Sequence, residues 1–230
     1  MAVRLERRQL PGGLTQATTM QLYNFFRSGT SHRLRIALNL KGLAYEYVAV
    51  DLRSEEHLGA AFKALNPQGL VPALADGDRV LTQSPAIIEW LEERYPTPPL
   101  LPAGRNERAK IRALAAIVGC DIHPLNNRRV LEYLRRQFDC DTAAWCATWI
   151  DAGFATLETL LAADGTRGEF CFGGAPSLAD VYLVPQVESA RRFEVDLARY
   201  PNIVAIDRAC NRLDAFRRAA PALQPDAPIP

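Results

Sequence analysis

Every segment that reads as a β-strand lies between Met20 and Thr82, and everything beyond Asn106 carries helical periodicity only. Between the two runs Thr97-Pro98-Pro99, with Pro102 and Gly104 soon after, a stiff linker that neither element crosses. A chain patterned in this way is expected to fold as an α/β domain over residues 20–100 and an all-helical domain over 106–220, with a flexible tail at 221–230. At 230 residues, 48% hydrophobic and 23% charged, it is long enough to give each half an ordinary core.

The first half has a definite order. Met20 to Phe25 alternates as a strand does, and Ser28-Gly29-Thr30-Ser31 breaks it. A helix follows from about Ser31, with Leu34 and Leu38 on its apolar face and Gly42 as its stop. Tyr45–Val50 is a second strand, and the strand–helix–strand spacing predicts a parallel pair. A weaker helix around Leu58–Leu65 ends at the turn Asn66-Pro67-Gln68-Gly69. Val71-Pro72 leads into a short strand at Ala73–Ala75, and Asp76-Gly77-Asp78 turns it back into Arg79–Thr82. Ser84-Pro85 then caps a helix that buries Ile87, Ile88 and Leu91. The order is βαβαββα.

In the second half a long helical pattern runs from about Asn106 to Phe138, with Ile111, Leu114, Val118, Ile122 and Leu125 in one stripe and a kink at Pro124. A second helix spans Thr142–Ala163. Ser177-Leu178-Ala179-Asp180 is a capping box, and its helix, to about Phe193, is apolar nearly all round and so belongs at the domain centre. The last helix covers Ile203–Arg218, after Pro201.

Several function classes are excluded. A formal net charge of +1 leaves no footprint for nucleic acid or an anionic membrane. No apolar run approaches the ~20 residues that span a bilayer, so a soluble protein without a membrane partner is expected. The five cysteines form no C-x-x-C pair and no zinc pattern with histidine, which reads as reduced thiols in the cytoplasm and no metal site. Residues 1–19 lack the apolar core of a secretory signal and read as a disordered extension or an over-long start ahead of Met20.

Chemistry concentrates at two helix starts. At Arg27-Ser28-Gly29-Thr30-Ser31, a helix N-terminus and hydroxyl groups suit a thiolate, but the junction holds no cysteine, so the thiol must arrive on a bound molecule. Plain N-capping by Ser or Thr explains the same residues on spacing alone. The second is Val71-Pro72 followed by Gln83-Ser84. A cis proline would present the Val71 backbone to an extended peptide, and the helix N-terminus at Ser84 would hold a carboxylate.

The segment from Tyr23 to Leu40 (YNFFRSGTSHRLRIALNL) resembles the zeta-class glutathione transferase signature. Similar matches lie at 64–74 (ALNPQGLVPAL), 83–96 (QSPAIIEWLEERYP), 120–134 (CDIHPLNNRRVLEYL) and 178–193 (LADVYLVPQVESARRF). The resemblance covers almost everything from Met20 to Ala220. It implies a thioredoxin-like domain, then an all-helical domain, glutathione as cofactor, a homodimer, and cis–trans isomerisation of a maleyl keto-acid. One departure is plain: where the class commonly has Ser-Ser-Cys-Ser, this chain has Ser28-Gly29-Thr30-Ser31. That variant and His123 favour maleylpyruvate over maleylacetoacetate, and either Ser28 or Thr30 serves as thiolate donor.

By the same resemblance Arg27, Arg129 and Arg192 surround a dianionic substrate, a task that suits planar bidentate donors. If the long helix is straight, Arg129 continues the stripe that ends at Leu125 and points to a cleft between the domains. By pattern alone, Arg128 and Arg129 read as solvated, and Arg191 and Arg192 as complements to a helix C-terminus. Glutathione is assigned Ser28, Gly29, Thr30, His57, Gln68, Val71, Gln83 and Ser84, together with Asp121, His123, Asn127 and Arg128; Asp121 and His123 could serve a partner subunit's site. His32 reads as a surface or packing residue. A conjugating transferase, a non-catalytic binding module and a thiol–disulfide enzyme are the competing readings. The second would need a ruined glutathione site, and the third a junction cysteine.

Overall fold

The structure, a computed structural model, describes residues 19–228, so all but Thr19 of the extension expected over residues 1–19 lies outside the described residues. The chain divides into two compact units. One runs to Glu93 and includes the C-terminal stretch from Ala219; the other is Arg94–Arg218. The sequence reading places these boundaries at 100, 106 and 220. The proline linker belongs to the second unit because Leu100 and Leu101 are buried and the Leu100 carbonyl accepts from the Leu178 N–H at 2.8 Å.

The first unit runs β1 (Met20–Asn24), α1 (Gly29–Leu40), β2 (Tyr45–Ala49), a 3-10 turn (Glu56–Leu58), α2 (Ala60–Leu65), β3 (Ala73–Asp76), β4 (Arg79–Thr82) and α3 (Ser84–Arg94). The sheet order is β2-β1-β3-β4, with β1 parallel to β2 and the remaining pairs antiparallel. This is the βαβαββα order that the sequence pattern predicts, in the thioredoxin-like arrangement that the resemblance implies. Register follows from the alternation in β1: Leu22, fully buried, sits opposite Leu74, which in turn faces Leu81. Leu34, Ile36 and Leu38 of α1 and Ile87, Ile88 and Leu91 of α3 complete the core.

Buried charges tie this unit together. Lys41, at the end of α1, pairs with Glu92 of α3 at 2.7 Å. Arg35 has no exposed surface and is held by four oxygens: Asn24 Oδ1 (2.9 Å), and the carbonyls of Phe25 (3.4 Å), Phe26 (2.8 Å) and Ala219 (3.0 Å). Burial pulls its pKa down to about 10, so it remains a cation at neutral pH. The tail is also fixed, contrary to expectation. Pro221–Leu223 form a 3-10 turn, and the Asp226 carboxylate accepts from the Phe26 N–H at 3.0 Å and the Tyr47 hydroxyl at 2.5 Å.

The second unit contains α4 (Arg105–Ala116), α5 (Arg128–Phe138), α6 (Thr142–Ala163), α7 (Leu178–Arg192), α8 (Pro201–Asn211) and α9 (Asp214–Arg217). The single long helix expected over 106–138 is corrected here. After α4 the chain passes through a π-helical turn (Ile117–Ile122) and a 3-10 turn (His123–Asn126) before α5 begins. Pro124 has no N–H to continue an α-helix, and the nearby Leu125 carbonyl is taken instead by the Trp145 indole N–H at 2.9 Å. Gly153 permits the close approach of α6, because a Cβ there would lie 2.3 Å from the Ile122 side chain. The expected final helix is likewise two, α8 and α9, and the turn at Leu213 brings Phe216 into full burial. α7 is buried from Leu178 to Val187, and its capping box is present, with Asp180 accepting from the Ser177 N–H and hydroxyl at 2.7 Å. No described helix is long and apolar enough to cross a membrane.

His32 is buried in α1, a core residue. Desolvation, with smaller contributions from Arg35 and Arg33, holds its pKa well below the ordinary 6.5. The unfolded chain therefore binds a proton that the folded chain refuses, and the imidazole destabilises the fold as pH drops below 6.5. Stability should fall by up to about 1.4 kcal/mol per pH unit in that window. Urea denaturation at pH 7.5 and 5.5 tests this: His32→Gln should flatten the dependence, and an unchanged slope would place its origin elsewhere.

Candidate functional site

In the first unit the expected residues form one connected patch. Ser28 is the N-cap of α1, its Oγ accepting from the Ser31 N–H at 3.2 Å. Its hydroxyl lies 2.9 Å from that of Thr30, which donates to the Val71 carbonyl at 3.0 Å. Thr30 has a single hydrogen, and it is committed to Val71. The Ser28–Thr30 bond therefore has Ser28 as donor, and the chain of hydrogen bonds runs Ser28 to Thr30 to Val71. Val71-Pro72 is cis, as expected. Gly29 opens α1, and Arg27 is exposed just before the cap, its guanidinium 5.9 Å from the centre of the Phe26 ring.

The turn after α2 is built by a residue that sequence reasoning did not single out. Asn66 is buried; its side chain donates to the Leu70 carbonyl at 2.7 Å and accepts from the Gln68 N–H at 3.2 Å. Asn-Pro-Gln-Gly announces a turn but does not say that its first residue braces it. Gly69 follows at φ +61, where a Cβ would lie 3.0 Å from the His57 carbonyl, so the half-buried His57 sits against this turn.

Gln68 accepts from the Gln83 side chain at 2.6 Å, and Gln83 stands at φ +68, an uncommon conformation for a residue with a Cβ. Ser84, next in the chain, is 2% exposed, and its Oγ has no hydrogen-bond partner among the described residues. An orphaned hydroxyl in the first turn of α3, beside unpaired helix N–H groups, is a site for a carboxylate. Hydroxyls at α1, the Val71 backbone and this second anion position fit an extended, acidic thiol such as glutathione.

In the second unit Asp121 is exposed on the π-helical turn, and His123 is half-buried at the start of the 3-10 turn. Asn127 caps α5, accepting from the Arg129 N–H at 3.1 Å. Because the helix breaks at Asn127, Arg129 does not continue the stripe that ends at Leu125, and the direction expected for it on that ground is corrected; it is exposed in the first turn of α5. Arg128 is engaged by Glu132, one turn on, at 2.5 Å. Arg192 ends α7 with its guanidinium 4.6 Å from the centre of the Phe193 ring. Its charge also reaches Cys146 of α6, whose thiol burial pushes up to about 11 while Arg192 draws it back.

Comparison with known proteins agrees over nearly the whole chain. Residues 27–94 match the glutathione S-transferase N-terminal domain, and residues 143–223 match the C-terminal domain. A maleylpyruvate isomerase from a Ralstonia species is 71% identical, over 90% of this chain and 100% of its own. The holo structure of a maleyl pyruvate isomerase, a bacterial zeta-class glutathione S-transferase, superposes with a TM-score of 0.89 at 70% identity, covering 90% of this chain and 100% of that one. A maleylacetoacetate isomerase from Methylobacterium extorquens AM1, solved with malonate and glutathione, superposes at 0.88 with 42% identity, over 91% of this chain and all of its own.

The orphaned Ser84 hydroxyl makes a prediction that needs no ligand. Leaving a buried hydroxyl unpaired costs about 1–3 kcal/mol, so Ser84→Ala should hold or raise the melting temperature of the ligand-free protein. A drop of several degrees would mean that the hydroxyl serves the fold.

Proposed function

The chain belongs to the zeta class of the glutathione S-transferase family, and we propose that it isomerises maleylpyruvate to fumarylpyruvate with glutathione as a regenerated cofactor. The observation that carries this reading is the start of α1, a helix N-terminus furnished with hydroxyls and no cysteine, which suits a thiolate brought by a bound molecule. Glutathione, when bound, supplies the thiolate that adds reversibly to the cis double bond and leaves after rotation about the bond.

The chain's own residues set the conditions. Ser28 keeps its N-cap bond through a lone pair while its hydrogen turns to the incoming sulfur, and only a hydroxyl–hydroxyl bond is given up. Thr30 would have to release the Val71 carbonyl to do the same. Ser28 is therefore assigned the thiolate, and Thr30 the loop that carries Val71. Ser84 and the first turn of α3 take a glutathione carboxylate, with Gln68 and Gln83 beside it. For the substrate's carboxylates, and for the negative charge that develops on its keto oxygen, the reading assigns Arg27, Arg129 and Arg192. His57, Asp121, His123, Asn127 and Arg128 are assigned to glutathione by family likeness. The same likeness, with five unpaired cysteines, supports a cytoplasmic homodimer in aromatic-compound breakdown.

Absorbance of maleylpyruvate over time should change only when glutathione is present, and more slowly with maleylacetoacetate. Conjugation of a chlorinated aromatic with neither keto-acid turned over would replace this reading with a detoxifying transferase. Within it, Ser28→Ala should lower kcat on the order of 100-fold with the KM for glutathione little changed, and Thr30→Val by about 10-fold. The reverse ranking would move the thiolate contact to Thr30.

A further inference from the structure

The loop between β1 and α1 carries Arg27 and Ser28, yet one of the groups that fix it lies 200 residues beyond Phe26 in sequence. The peptide group on each side of Phe26 is gripped. Arg35 donates to the Phe26 carbonyl at 2.8 Å, and Asp226 accepts from the Phe26 N–H at 3.0 Å. The other Asp226 oxygen accepts from Tyr47 at 2.5 Å. Burial, and then the bond to Asp226, pushes the Tyr47 phenol up, so it stays a donor at any physiological pH. Asp226 also supports the charge of Arg35, which in turn holds Phe25, Phe26 and Ala219. One turn later the Ser28 N–H donates to the Phe25 carbonyl at 3.1 Å, so a shift at Phe25-Phe26 passes directly to the Ser28 cap.

We propose that Asp226 is a positioning residue for the chemistry: the C-terminal segment folds back onto the first unit to fix the backbone at Phe26, and so aims Ser28 and Arg27. The inference rests on the isomerase reading, which assigns roles to those two residues. Phe26 has no other hydrogen-bond acceptor for its N–H among the described residues, and the carboxylate's second oxygen is anchored by a strand residue, Tyr47 of β2. A loose tail cannot do this; a carboxylate fixed at both oxygens can. Ser84, Gln68 and Gln83 lie on other elements and are not in this chain of bonds. Loss of Asp226 should therefore affect the reacting sulfur more than the grip on glutathione.

The experiment uses the full chain carrying Asp226→Ala, Asp226→Asn or Tyr47→Phe. Glutathione affinity, thiolate formation by ultraviolet absorbance of bound glutathione across pH, isomerase kinetics and melting temperature are measured for each. Asp226→Ala should lower kcat about 10- to 100-fold, the scale of a small misplacement of reacting groups. Its thiolate titration should move upward by about half a pH unit as the helix N-terminus and the Ser28 hydroxyl lose alignment. Glutathione affinity should change less than about threefold. Asparagine keeps an acceptor for the Phe26 N–H and should recover most of the loss. If Asp226→Ala does not fold, Tyr47→Phe, which leaves Asp226 in place but frees one oxygen, should show the same pattern at smaller amplitude.

A lowered melting temperature with kcat and the thiolate titration both at wild-type values would overturn the proposal and leave Asp226 a stabilising contact only. Failure of the wild-type chain to isomerise any keto-acid would instead sink the functional reading. The thiolate titration would still decide the role of Asp226, because it needs glutathione alone.

Discussion

The first unit is organised by a buried cation. Arg35 lies in the middle of α1 without exposed surface, and such a charge is tolerated only where acceptors surround it; four oxygens accept from its Nε, Nη1 and Nη2. Its partners come from the end of β1, the loop that follows and Ala219. Where a strand gives way to a helix, one planar guanidinium takes up the Phe26 carbonyl and shares the Phe25 carbonyl with the Ser28 N–H. The requirement works in both directions. The loop keeps its shape because Arg35 needs its oxygens, and Arg35 can be buried because the loop offers them.

That rigidity matters because both anion positions proposed in this unit are helix starts, whose usefulness depends on direction. A helix N-terminus acts over about one turn, so its N–H groups must face the ligand. At α1 the cap is Ser28, and at α3 the first residue is Ser84, which follows a residue held at positive φ. Thr30 joins the α1 start to the Val71 carbonyl, and the Gln68–Gln83 bond joins the turn that precedes Val71 to the α3 start. Three short stretches that are separate in sequence are thus joined by hydrogen bonds along one edge. None of them needs a cysteine, because thiol chemistry is delegated to the ligand.

How legible this was from sequence depended on whether a feature is local. The strands, α1, α6, the capping box at Ser177 and the hydroxyl junction at Ser28 each follow from a few adjacent residues and their period, and each is present. Long-range satisfaction was not legible. Arg35 sits among leucines in sequence and carries no local sign of its four acceptors. Asp226 lies in a Pro-rich tail whose composition reads as loose, although its partners on β2 and the β1–α1 loop hold it. The direction expected for Arg129 failed for a different reason. An apolar stripe extrapolates only through a regular helix, and the π-helical turn with Pro124 shifts everything after Ile122 out of phase.

The two units therefore place functional groups by different means. In the first, backbone groups and short hydroxyls are locked by hydrogen bonds to other backbone, which leaves little freedom for a sulfur held there. In the second, the arginines proposed for the substrate are long side chains at terminal positions: Arg129 in a first turn and Arg192 in a last. Long arginines on such positions can follow carboxylates through rotamer changes that a hydroxyl on a one-carbon stem cannot make. An isomerase needs both properties. The nucleophile must form and break its bond at one fixed place, whereas the substrate changes shape by half a turn about a carbon–carbon bond between those two events. Under the proposed assignment, a fixed thiolate position with adaptable carboxylate holders would accommodate that change, and the reverse assignment would not.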